Sequence, residues 1–329
     1  MRLPRIAALL LLAASATAPL PALTVKVATL APEGSPWVDA LHRVAGAWEQ
    51  ASAGQVRLKI YAGGVAGEEP DMIRKLRIGQ LQAAALTQLG LGLLEPDVLA
   101  VSVPFLVRDD RELDYALKAG KPRYAELFLA RGFRLVALAK GGWVHFFART
   151  PVASPSDLRR LKLAVPAGDP EFVETWRRMG FNAFSLSIND LLTGLQAGMA
   201  DACYAPVLAA ASFQWFGAAR FMTAMPVAPV FGGILLSERT FEQIPEALRA
   251  PLLAAFDELE ADLNARMQYL EGEALSAMQR HGLEVVPVPP EAAAQWRQVS
   301  EEGSRLVIGR TFSQESYQRV LDALQAYRR

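Results

Sequence analysis

Cysteine, histidine and net charge are all scarce in this chain of 329 residues, which has one cysteine, three histidines, and 34 Lys plus Arg against 34 Asp plus Glu. A lone Cys203 cannot close an internal disulfide, and no CxxC pair or Cys/His cluster has metal-ligand spacing, so a disulfide scaffold and a metal site are both unexpected. Balanced charge without a Lys/Arg-rich block leaves no field to draw in a polyanion, which argues against a nucleic-acid partner. The sequence has no GxSxG nucleophile elbow, no HExxH pair and no phosphate-binding loop, and Gly63-Gly64-Val65-Ala66-Gly67 is too loose for a dinucleotide loop. His42 and His281 fall on inferred helices and read as surface residues. Cys203, at the end of an inferred strand, reads as a small buried hydrophobe rather than a nucleophile. The carboxylates sit among basic neighbours in helical patterns, as solvated faces do. No catalytic residue and no cofactor is therefore expected. Runs of ~20 apolar residues are also missing, so stable membrane insertion is not expected.

What is present is a globular composition, 52% hydrophobic and 21% charged, long enough at ~150 residues per domain for about two cores. The N-terminus reads as an address. Arg2 and Arg5 precede the apolar run Ile6–Ala14, and small residues follow, the order of a secretory signal peptide with its cut placed after Ala22. Removing those two arginines from the 34 basic residues leaves 32 against 34 acidic ones, a mature charge of −2. In a bacterium with two membranes that product is periplasmic; the bland alternative is a cytosolic chain with an apolar N-terminus.

From Val25 the pattern alternates strand and helix, which signals a parallel sheet. Ser35-Pro36 reads as cap and first residue of a helix carrying Trp37, Leu41, Val44 and Trp48 on one face, and Val56–Tyr61 alternates as a half-buried strand. A helix Glu69–Ile78 stops at Gly79, a strand follows at Ala83–Thr87, then two helices near Arg111–Ala119 and Pro122–Ala130 and a strand Arg134–Ala139. The alternation restarts after Thr150 with strand Lys162–Val165, helix Pro170–Met179, a helix from Ser187 to Ala197 whose Ser187/Asp190 pair resembles a capping box, and strand Asp201–Tyr204. Such a restart is what two lobes would look like. From Leu248 to Met278 apolar residues recur at spacings of 4, 4, 3, 4, 4, 3, 4 and 4, predicting one helix over Glu246–Arg280. At ~1.5 Å per residue it is about 52 Å long and would cross both lobes; a coiled-coil arm is the other reading of the stripe.

Five segments, in order, carry a family resemblance: Thr29–Trp37 (TLAPEGSPW), Gly67–Leu81 (GEEPDMIRKLRIGQL), Val103–Arg108 (VPFLVR), Pro151–Pro166 (PVASPSDLRRLKLAVP) and Asp190–Asp201 (DLLTGLQAGMAD). The sequence resembles the DctP-type periplasmic substrate-binding subunits of TRAP transporters over almost the whole mature chain. The resemblance implies an α/β, two-lobe periplasmic binding protein fold (class II-like) with a long helix crossing both lobes. It also implies a small-molecule ligand between the lobes, a membrane permease as partner, and no catalysis. The expected lobes are 23–146 with 232–272, and 147–231 with 273–329.

The departures from the family concern its ligand-binding positions. The arginine that grips the substrate carboxylate in the family corresponds to Ala164, a second arginine to Val144 within Gly141–His145, and an asparagine to Ala205 within Asp201–Pro206, with Tyr204 replacing the acid before it. Polar cleft positions of sialic-acid-binding members fall on Thr87 and Gly90, and a common aromatic falls on Ile188. All these changes lead towards neutral chemistry, and a carboxylate entering a cleft without a partner costs several kcal/mol. The expected ligand is therefore neutral, apolar or amphipathic, held by Trp143, Val144, Ile188, Tyr204 and Phe231 and oriented by the Thr87 or Tyr204 hydroxyl. About 300 Å² of buried apolar surface at ~25 cal/mol per Å² would supply roughly 7 kcal/mol before association entropy. Trp143 and Phe231 as plain lobe core is the competing reading. Three alternatives stay open: an organic-acid binder with Arg149 as displaced cation, a secreted cleft enzyme using Tyr204, His145 and Asp190, and an interaction scaffold with no enclosed cleft.

Overall fold

The computed structural model describes residues 22–329. The segment read as a signal peptide lies outside them, apart from Ala22. The first lobe opens with β1 (Leu23–Thr29), α1 (Pro36–Ala51), β2 (Val56–Tyr61), α2 (Glu69–Arg77), β3 (Ala83–Thr87), α3 (Gln88–Leu94) and α4 (Asp110–Leu129). Ser35 starts α1 by accepting the Val38 N–H at 3.4 Å, with Pro36 at the first helical position where its missing N–H costs nothing. The long strand β4 (Phe133–Ala148) leads into the second lobe, built from α5 (Pro155–Arg159), β5 (Lys162–Pro166), α6 (Pro170–Arg178), β6 (Asn182–Leu186), α7 (Leu191–Gln196), β7 (Ala202–Pro206), α8 (Val207–Ser212) and β8 (Phe221–Thr223). Strand β9 (Ala228–Ser237) returns, followed by α9 (Glu238–Gln243), α10 (Glu246–Arg280), β10 (Glu284–Val286), α11 (Pro290–Val307) and α12 (Gln314–Arg328).

The main strand order is β2-β1-β3-β9-β4-β7-β5-β6. β1 pairs parallel with β2 and β3 in the first lobe, as β5 does with β6 and β7 in the second, while β4 and β9 lie antiparallel between the two sets. Each half of the sheet is buried on both faces. Along β3, Ala83 and Ala85 join one core with Trp48 and Phe256, whereas Ala84 and Leu86 join another with Met72 and Phe128. Along β5, Leu163 and Val165 face Phe146 and Trp176, whereas Ala164 faces Leu195 and Cys203. This is the period-two alternation of a strand covered by helices on both sides.

α10 crosses between the lobes as expected and spans the predicted residues. Its Leu252–Leu263 segment packs in the first lobe, and Met278 with Ala274 and Leu275 in the second. It is also bonded to β4. The strand is irregular between Leu135 and Ala137 and between Lys140 and Gly142, and side chains of α10 accept backbone N–H groups in this stretch: Glu260 from Leu138 (2.7 Å), Asn264 from Lys140 (2.8 Å) and Glu271 from Trp143 (2.8 Å). Spacings of four and seven keep these acceptors on one helix face.

Three expectations change. The helices expected on either side of Pro122 are one helix, because Leu113, Leu117, Tyr124 and Phe128 from both halves bury in one core, which outweighs the ~3 kcal/mol cost of an internal proline. The strand expected to end at Ala139 continues to Ala148. Of the segment 273–329 expected in the second lobe, Trp296 and Val299 pack with Phe146 and Trp176, while Phe312, Val320 and Leu324 pack in the core that also holds Leu113 and Phe128. Phe231 belongs to that same first-lobe core.

Candidate functional site

Turns from both lobes meet around a cavity of about 160 Å³. The first lobe supplies Leu30 and Pro32 from the β1–α1 turn, Trp37 at the start of α1, Thr87 at the end of β3, and Phe231 on β9; the second supplies Ile188 from the β6–α7 turn and Leu208, Ala209 and Phe213 from α8 and beyond. The two lobes touch beside it. The Ile188 N–H donates to Glu68 Oε1 at 3.1 Å across the lobes, and a methyl group on Gly64 would lie 3.2 Å from Asn189 Nδ2. No lysine, arginine or histidine lines this cavity among the described residues.

Its one ionisable group is Glu69, the first residue of α2. The side chain is 7% exposed, and its carboxyl accepts the Thr87 N–H at 2.6 Å and the Thr87 hydroxyl at 2.9 Å. Thr87 Oγ1 in turn caps α3 by accepting the Leu89 and Gly90 N–H groups at 3.2 and 3.4 Å. Burial dominates these bonds and pushes the Glu69 carboxyl up to about 7. Glu68, half-buried beside Asp190 and Asp71, is also raised, again chiefly by burial. Gly90 makes the pocket for Glu69: a Cβ there would stand 2.6 Å from Glu69 Cδ.

The model of the DctP family, described as bacterial extracellular solute-binding protein family 7, matches residues 27–306. The chain belongs to the DctP family. Its 22% identity to the 2,3-diketo-L-gulonate-binding periplasmic protein YiaO of Escherichia coli K12 runs over 72% of this chain and 73% of that protein. A 25% identity to the ectoine/5-hydroxyectoine-binding periplasmic protein UehA of Ruegeria pomeroyi covers 43% of each. Among solved structures, Bordetella pertussis DctP7, an extracytoplasmic solute receptor binding pyroglutamic acid, superposes with a TM-score of 0.84 at 19% identity over 92% of this chain and all of that one. A TRAP periplasmic solute-binding protein of Xanthobacter autotrophicus Py2 with bound β-D-galacturonate gives 0.83 at 18% identity, covering 92% and 99%. At such identities the likeness shows the DctP fold: two lobes with a cleft between them. DctP proteins are solute receptors and not enzymes.

Against that fold, the residues singled out from the sequence fall in four places. Thr87, Ile188 and Phe231 line the interlobe cavity, and Gly90 stands behind Glu69. Val144, Ala164 and Ala205 are 2%, 2% and 1% exposed in the interior and line none of the three cavities found. Trp143 turns away: its Nε1–H donates to Asp110 Oδ1 at 2.9 Å, and it lines a different cavity of about 570 Å³ together with His145 and Glu271. Tyr204 lines a third cavity, among Phe146, Phe172 and Trp176. Strand alternation gave the faces but not which face meets the cleft.

Other candidates separate in the same way. Arg149 is exposed beside Gly198 and lines none of the three cavities. Tyr204, His145 and Asp190 are not brought together. His145 is buried and held neutral, its pKa lowered by burial, with Nδ1–H donating to the Thr223 carbonyl at 2.8 Å, and Asp190 accepts the Ser187 hydroxyl at 2.6 Å. Burial pushes the Cys203 thiol up to about 12, so no thiolate forms near neutral pH. Glu69, Trp37 and Phe213 were missed as cleft residues. Glu69 does lie within the quoted segment Gly67–Leu81, where an acid immediately before a proline is the one signal that could have drawn notice.

Proposed function

We propose that this DctP protein is the solute-binding subunit of a TRAP-type transporter, and that its ligand is neutral and apolar or amphipathic. It works in the periplasm after signal-peptide removal and passes its ligand to a membrane permease. Its lobes divide close to 146 and 232, with the C-terminal helix added to the first lobe. The observation that carries the ligand reading is the lining of the interlobe cavity: apolar side chains, no cation, and one buried acid already bonded to Thr87. An anionic solute would meet no counter-charge there, and an unpaired charge costs several kcal/mol in a buried site. A volume of about 160 Å³ is close to the ~150 Å³ that admits benzene, which favours a ligand portion of one ring or a short branched chain. Ligand touching both lobes would stabilise the closed form by its differential affinity.

Native purification followed by solvent extraction and mass spectrometry, with thermal-shift titrations, tests this. The expected result is a co-purified neutral or amphipathic molecule that raises Tm on re-addition, while glucuronate, galacturonate and pyroglutamate at millimolar concentration leave Tm unchanged. An organic acid bound at about one per chain would overturn the neutral-ligand reading.

A further inference from the structure

A second cavity between the lobes, of about 140 Å³, shares no lining residue with the first. Its second-lobe wall is aromatic. Phe146, Phe172, Trp176 and Tyr204 pack with centroids 5.3 to 6.3 Å apart, and Trp296 stacks on Phe146 at 5.1 Å. The first-lobe wall is different in kind. It presents Gln88, 7% exposed, and Ser102, and Gln88 Oε1 and Ser102 Oγ are both buried without a hydrogen-bond partner. Buried polar atoms are nearly always paired, so two unpaired ones on one cavity wall call for an occupant that pairs them. Two bonds tie the walls together: the Phe105 N–H donates to the Val227 carbonyl at 3.1 Å, and Ser300 Oγ–H donates to the Pro104 carbonyl at 3.0 Å.

We propose that this cavity is a second ligand site, for a single-ring aromatic molecule bearing one hydroxyl. The size matches one ring, since cavities of ~150 Å³ take up benzene. The ring faces aromatic side chains that favour offset or edge contacts with it. The hydroxyl supplies what the other wall lacks, a donor for Gln88 Oε1 and an acceptor for the Ser102 O–H. An occupant touches both lobes and so favours the closed form.

Phenol and toluene are the probes, titrated onto the purified chain by ligand-observed NMR with Trp fluorescence as a second signal. Phenol should bind at one per chain, about five- to tenfold tighter than toluene, the effect of one buried neutral hydrogen bond. In Gln88→Leu that preference should vanish or reverse, and retained toluene binding shows that the variant is folded. Filling the site with Val299→Trp should abolish binding of both probes. Filling the first cavity instead, with Ala209→Trp, should leave phenol binding in place. Phenol binding that survives Val299→Trp but is lost in Ala209→Trp would move the probe to the first cavity and overturn the proposal. So would the absence of saturable phenol binding, or a crystal soaked in phenol that shows only water bridging Gln88 and Ser102.

Discussion

Glu69 shows how one side chain can couple the cleft to pH. Its carboxyl titrates at 4.5 in an open chain and at about 7 in the folded protein, because burial outweighs the bonds from Thr87. Between these values the native state holds a proton that the unfolded state has released, so stability falls as pH rises from 4.5 to 7 and levels off above that. At about 1.4 kcal/mol per pKa unit the loss is roughly 3 kcal/mol. Glu271, also raised to about 7 mainly by burial, adds a loss of the same sign. Urea denaturation of Glu69→Gln at pH 4.5 and 7.5 should therefore show a smaller difference between the two pH values than the parent shows. Equal differences would mean that burial does not raise the Glu69 carboxyl in the fold. The sequence does not reveal this group, because its burial depends on residues elsewhere in the chain: Thr87 supplies the donors and Gly90 the space. By contrast, the missing charge at Ala164 is legible directly, and what could not be read is that this position, with Val144 and Ala205, lies in the interior.

At the scale of elements, periodicity carried furthest where one pattern runs without interruption. The apolar stripe from Leu248 to Met278 gave α10 its full length, although its residues serve two different cores. It failed where local chemistry imitates an ending. Pro122 reads as a helix boundary and Ala139 as the end of the strand, yet tertiary packing carries α4 through the first, and α10 accepts N–H groups that β4 leaves unpaired just past the second. Gly142 is required there: its φ is +91°, and a side chain would run into the Glu271 carboxylate that holds the Trp143 N–H. Gly142→Ala should cost about 1–3 kcal/mol in chemical denaturation. Gly272→Ala, one residue along α10 from Glu271 with nothing within 4 Å of the added methyl, should instead stabilise by up to ~1 kcal/mol. Similar effects from the two substitutions would show that the β4–α10 junction does not restrict residue 142.

At the scale of the whole molecule, receptor function rests on the balance between open and closed lobes, and the contacts that set it come from residues far apart in sequence. Glu68 and Ile188 are 120 positions apart, and Ile188, expected inside a helix from Ser187, lies in the turn before α7, which begins at Leu191. The path of the C-terminal helix back to the first lobe was hidden for a similar reason, since an amphipathic helix declares its apolar face but not its partner. Glu68 starts α2 without capping it, and its carboxylate reaches across to the Ile188 N–H instead, so the bond exists only when the cleft is shut. If that bond contributes about 1 kcal/mol, losing it shifts the open-to-closed ratio about fivefold. Glu68→Ala should therefore enlarge the radius of gyration of the ligand-free protein in solution scattering and weaken ligand binding several-fold. Glu68→Gln, which keeps an oxygen to accept the N–H, should stay close to the parent in both. Saturating ligand should bring Glu68→Ala back to the compact value, because contacts to both lobes replace the lost bond. An unchanged radius and affinity in Glu68→Ala would mean that the apolar walls of the cleft close it without help from this contact.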